Sequence, residues 1–76
     1  MTDLPPTVLL VEDDLQIRRF LRATLPAHGI RLFEADTGKD GLAQAAARTP
    51  EAILLDLGLP DLEGLEFIRR LREWSS

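Results

Sequence analysis

Three acidic side chains are candidates for chemistry. Glu12 and Asp13 follow the unbroken apolar run Thr7-Val8-Leu9-Leu10-Val11, and Asp56 follows a second run, Ala52-Ile53-Leu54-Leu55. Carboxylates brought together repel, and each resists ionisation unless a cation or hydrogen-bond donors compensate. An all-oxygen set, in a chain without cysteine and with no histidine close by, favours a hard ion such as Mg²⁺. That ion keeps several waters and takes one or two protein carboxylates. An ionised aspartate beside such an ion can attack a phosphorus atom, because the metal offsets charge on the transferring phosphoryl group. Asp56 would then become a phosphoaspartate. Spacing by itself leaves plain metal binding open as well.

The elements around these residues must bring them together. Each apolar run reads as a strand buried on both faces, as in a parallel sheet. Asp14 is placed to cap a helix in which Ile17, Phe20, Leu21 and Leu25 keep helical spacing and which ends at Pro26, His28 and Gly29. Ile30 to Ala35 reads as a second, more polar strand at an edge, with Phe33 and Ala35 alternating against Arg31 and Glu34. Thr37 caps a second helix with Asp40 in its first turn and Leu42, Ala45 and Ala46 assigned to the core, ending near Arg48-Thr49-Pro50. Leu57 to Glu63 is a loop. Gly64 opens a last helix with Leu65, Ile68 and Leu71 on one face and Phe67 and Trp74 extending the apolar surface.

The order βαβαβα predicts an α/β fold: a parallel three-stranded sheet with right-handed crossovers. The first and third strands are apolar enough to be central neighbours, with the second outside the first, so the expected strand order is 2-1-3. The connections then leave the first strand in opposite senses, and ligands bind beyond the strands' carboxyl ends at such a switch point. Glu12, Asp13 and Asp56 fall at those ends.

At 76 residues the chain is one small domain at most, and folding at this size buries only about 60 % of the unfolded surface. Its 45 % hydrophobic and 29 % charged residues are those of an ordinary globular chain rather than a disordered one. The absence of cysteine excludes a disulfide framework, a thiolate metal site and a cysteine nucleophile. A net charge of -4 argues against broad nucleic-acid binding, because no basic excess neutralises phosphates. The start Met1-Thr2-Asp3-Leu4-Pro5-Pro6 has no signal-peptide character, no run is long enough to span a membrane, and the expected location is the cytoplasm.

Taken together, these motifs resemble the receiver domains of bacterial two-component response regulators. Val8-Leu9-Leu10-Val11-Glu12-Asp13-Asp14 is similar to the family's first strand and acidic pair, and Asp56, Pro60 and Gly64 match its D-x-x-x-P-x-x-x-G loop. Arg18-Arg19-Phe20-Leu21-Arg22, Leu57-Gly58-Leu59-Pro60-Asp61 and Glu66-Phe67-Ile68-Arg69 resemble the winged-helix transcriptional subgroup, which includes regulators of potassium-transport genes. The resemblance implies a flavodoxin-like fold in which residues 1–76 are the N-terminal part of a receiver. It implies that Asp56 is the phosphoacceptor, that Asp13 and Asp56 give oxygens to Mg²⁺, that Glu12 holds a metal-bound water and that the Gly58 carbonyl is a further ligand. A sensor histidine kinase is the implied donor, and DNA would be reached only through an effector domain. That domain lies outside these residues, as do the family's last two strand-helix units with their Ser/Thr, switch aromatic and Lys.

Simpler readings stand beside these. Asp14 is a cap, Asp61 and Glu63 are solvated loop acids with site tuning as the alternative, His28 is a surface residue, Gly58 is a turn glycine, and Pro60 and Gly64 shape the loop. Arg18, Arg19 and Arg22 form a solvated helix face, which the resemblance offers to a kinase. Trp74 is core or interface. As a whole, the chain could instead be an interaction-only fragment, because an apolar third strand with an unpaired edge recruits another chain and predicts self-association. An aspartate-nucleophile phosphatase of the haloacid dehalogenase type would resemble D-x-D-x-T, and Asp56-Leu57-Gly58 lacks the second Asp.

Overall fold

A computed structural model describes residues 4–73. Among these residues six regular elements alternate: β1 (Thr7–Val11), α1 (Leu15–Thr24), β2 (Arg31–Ala35), α2 (Gly38–Arg48), β3 (Ala52–Leu55) and α3 (Gly64–Arg72), with a short 3₁₀ turn at Pro26–His28. The strands form one parallel sheet in the order β2-β1-β3, the predicted topology. β1 is central, pairing with both other strands, and it is the most buried of the three: Leu9, Leu10 and Val11 are all buried. Leu9 and Val11 face α2 and α3, where they pack with Ala35, Ala45, Leu59, Leu62 and Phe67. Leu10 lies on the opposite face beside Ile17, Leu21 and Leu54.

Local chemistry explains the helix boundaries. Asp14 accepts from the Gln16 and Ile17 amides, capping α1, and Thr37 Oγ1 accepts from the Asp40 amide, capping α2. Gly29 takes a left-handed backbone (φ 78°) that ends the 3₁₀ turn and redirects the chain into β2. Thr49 adopts the same region at the end of α2 (φ 43°).

Several side chains depart from the expected pattern. Leu65 is 70 % exposed, and the buried face of α3 runs through Gly64 and Phe67 with Leu71 beside them. On α2 the buried positions are Gly38, Gly41 and Ala45, while Ala46 is exposed; helical spacing alone does not rotate the stripe to its final angle. Arg31 shares the parity of Phe33 rather than opposing it, and its guanidinium lies 5.4 Å from the ring centroid, with Arg48 at 4.0 Å on the same ring. β2 also begins at Arg31, one residue later than expected. α1 buries no residue: Phe20 is 66 % exposed, and Leu15 and Ile17 are exposed as well. β3, although apolar on both faces, is an edge strand with Leu54 exposed. Arg18 and Arg22 are not free cations, since both reach Glu34 on β2 (3.2 and 2.8 Å) and tie α1 to the sheet edge. Trp74 lies outside the described residues.

Candidate acidic metal and phosphoacceptor site

Strand register builds the site. Leu55 pairs with Val11 across β1 and β3, so the next residues, Asp56 and Glu12, emerge side by side. The hydrogen-bond ladder continues past the strand ends: the Asp56 amide donates to the Val11 carbonyl at 2.9 Å, and the Glu12 amide donates to the Ala35 carbonyl at 3.0 Å. Glu12, Asp13 and Asp56 each present an oxygen, and these oxygens lie within 4.8 Å of one another. The trio expected from sequence therefore meets at one point, at the carboxyl end of β1 and β3.

The members differ in environment. Glu12 is 9 % exposed, and burial pushes its carboxyl up from the usual range. A hydrogen bond from the Asp14 amide (3.2 Å) opposes that shift, while Asp56 and Asp13 reinforce it. Asp56 is held below its ordinary value, first by the Gly58 amide, which donates to Oδ1 at 2.9 Å, and then by its hydrogen bond with Glu12. Three carboxylates clustered at one point, with no nitrogen or sulfur donor among them, form an all-oxygen set that fits a hard divalent cation. Asp13 is exposed, giving the pocket a solvent-facing side.

The loop of residues 57–63 is anchored rather than free. Leu59 and Leu62 are buried in the core. Asp61 is exposed, as expected of a loop acid, yet it also accepts from the Gly38 and Lys39 amides at the start of α2 (2.8 and 3.0 Å), contacts that hold its carboxyl below the usual range. Nothing in the local sequence signals a partner more than twenty residues away; the acid's place between two buried leucines is the one available hint. Glu63 stays exposed and makes no side-chain cap to α3, and His28 is exposed.

A parallel sheet of order 2-1-3 flanked by helices, with an acidic cluster at its carboxyl edge, has the architecture of a flavodoxin-like receiver fold. The response regulator receiver domain family matches residues 8–76, and the chain belongs to that family. It is 59 % identical over 69 residues to the KDP operon transcriptional regulatory protein KdpE of Escherichia coli, covering 91 % of this chain and 31 % of that protein. Identity to the transcriptional regulatory protein KdpE of Mycobacterium tuberculosis is 42 % over 67 residues, covering 88 % of this chain and 30 % of the relative. The chain thus spans about a third of the curated relatives it matches. Among solved structures, the chemotaxis response regulator CheY4 of Vibrio cholerae superposes with a TM-score of 0.89 at 31 % identity, covering 93 % of this chain and 59 % of that one. A sensor protein from Polaromonas sp. JS666 gives 0.84 at 37 % identity, covering 92 % and 56 %. The chain is a response-regulator receiver related to KdpE.

Proposed function

We propose that this chain is the phosphoacceptor part of a two-component signalling protein, with Asp56 accepting a phosphoryl group from a sensor histidine kinase in a Mg²⁺-dependent step. The observation carrying this reading is the convergence of Glu12, Asp13 and Asp56 within 4.8 Å at the switch point of a receiver sheet. Asp13, Asp56 and the Gly58 carbonyl would hold the ion directly, and Glu12 would hold it through its hydration. When bound, Mg²⁺ offsets negative charge on the transferring group. An Asp56 carboxylate oxygen forms the new O–P bond. The N–P bond of the phosphohistidine breaks, and its electron pair stays on the imidazole nitrogen, which takes up a proton. The Gly58 amide orients the attacking carboxylate through Oδ1, leaving Oδ2 for the phosphorus.

On this reading the chain is the N-terminal portion of a receiver in a transcription regulator of the KdpE type, a cytoplasmic signalling module rather than a turnover enzyme. No helix among the described residues is long and apolar enough to cross a membrane. DNA contact would belong to an effector domain outside these residues. The test is addition of acetyl phosphate or beryllofluoride with Mg²⁺, read by intact mass and NMR. An adduct on the native chain that is lost in Asp56→Asn supports the reading; steady phosphate release from many unrelated phosphoesters, or an adduct elsewhere, sinks it.

A second reading rests on the outer edge of β3, which has no strand partner among the described residues and carries exposed Leu54. Such an edge templates pairing with a second copy. Sedimentation showing a concentration-independent monomer would exclude self-association.

A further inference from the structure

The loop after Asp56 is held at two places of different kind. Leu59 and Leu62 insert into the core, and between them the Asp61 carboxylate reaches the start of α2, taking the Gly38 amide on Oδ1 (2.8 Å) and the Lys39 amide on Oδ2 (3.0 Å). The helix already has a local cap, since Thr37 Oγ1 accepts from the Asp40 amide (3.1 Å). The long-range clasp therefore does more than finish a helix end: it fixes the loop's position against α2. The approach is close, because a Cβ built on Gly38 would stand 2.6 Å from the Leu62 Cβ. Three residues before Asp61, the Gly58 amide donates to Asp56 Oδ1. A carboxylate taking two amides at a helix N-terminus is a charge-assisted contact in the direction the helix dipole favours.

We propose that Asp61 is a positioning residue for the phosphoacceptor: by clasping the first two amides of α2 it holds the Gly58 backbone where it orients Asp56 and faces the acidic trio. α2, which contributes no side chain to the trio, thereby becomes part of the frame that sets the site's geometry. The metal-affinity consequence rests on the phosphoacceptor reading above; the claim about Gly58 does not.

Paired variants of the 76-residue chain separate positioning from simple helix capping. Asp61→Ala removes the clasp, whereas Thr37→Ala removes the local cap of the same helix and leaves the loop untouched. Both lower Tm. Asp61→Ala alone shifts the Gly58 amide resonance and lowers its heteronuclear NOE, and it raises the Mg²⁺ Kd by about tenfold, the low end for a group that acts through a ligand. Asp61→Asn keeps one acceptor oxygen and falls between Asp61→Ala and the native chain. The proposal is overturned if Gly58 responds equally to Asp61→Ala and Thr37→Ala, or to neither. If the native chain shows no response to Mg²⁺, the phosphoacceptor reading falls, and the metal-free Gly58 resonance still decides whether Asp61 positions the loop.

Discussion

Replacing Gly64 by Ala tests how tightly the loop is packed against the site. A Cβ there would lie 2.8 Å from the Leu57 Cα and 3.2 Å from the Leu57 Cβ, whereas ordinary contact begins at 3.4 Å. The nearest atom, Leu57 Cδ2, can turn away with its rotamer, but the Cα cannot, so the Leu57 backbone must retreat by roughly half an ångström. Overpacking of this kind costs about 1–3 kcal/mol. Alanine's better helix propensity returns up to about 1 kcal/mol, so the net loss is about 1–2 kcal/mol. For a domain of this size that lowers Tm by about 4–16 °C. Leu57 is bonded to Asp56, so the same displacement moves the carboxylate and weakens Mg²⁺ binding. Gly29→Ala is the matched control: its left-handed backbone makes any side chain cost about 1 kcal/mol, yet nothing lies within 4 Å of the added carbon and the site is remote. Thermal melts by circular dichroism and Mg²⁺ titrations on both variants decide the matter. The reasoning fails if Gly64→Ala melts with the native chain, or if it loses no more Mg²⁺ affinity than Gly29→Ala.

Other outcomes follow from the same structure. Glu34 and Asp61 have carboxyls held below their ordinary values, and Glu66, paired with Arg69 and Arg70, is lowered to about 2. Their contributions are complete above the ordinary carboxylate range and are lost as pH falls through the folded values, so acid unfolding should set in below about pH 4. Glu12 acts in the opposite sense. Its raised carboxyl makes the metal-free chain lose stability as pH climbs from 4.5 toward neutrality, and melts at several pH values should show that slope disappear in Glu12→Gln. Phe67→Ala empties the centre of the core, where the ring is 1 % exposed, and costs about 3–5 kcal/mol. That is comparable to the whole stability of a core this small, so its amide spectrum should collapse to unfolded dispersion. Thr49→Gly relieves a β-branched residue at φ 43° and should raise stability by about 1 kcal/mol in denaturant melts.

Much of the architecture was legible because it depends on local chemistry. Two uninterrupted apolar runs, each ending in acid, were legible as parallel strands, although only β1 is buried and β3 leaves Ala52 and Leu54 exposed at the sheet edge. Asp14 and Thr37 announced their helices because a cap acts on amides two or three residues away. The meeting of Glu12, Asp13 and Asp56 was also readable, since adjacent parallel strands in register deliver their ends to one place.

What the sequence left open depended on partners distant along the chain. Periodicity shows that α2 and α3 are amphipathic, but it tolerates a rotation of tens of degrees. The angle that buries Phe67 and exposes Leu65 and Ala46 is set by the shape of the sheet beneath them. Arg18 and Arg22 read as a solvated face until the sheet edge brought Glu34 within reach, and Asp61 read as a loop acid until the start of α2 arrived beside it. Composition and local spacing determined which groups could do chemistry and which strands would carry them. Tertiary packing alone decided which charges are paired and how the loop is held, because those energies depend on separations in space that sequence distance does not encode.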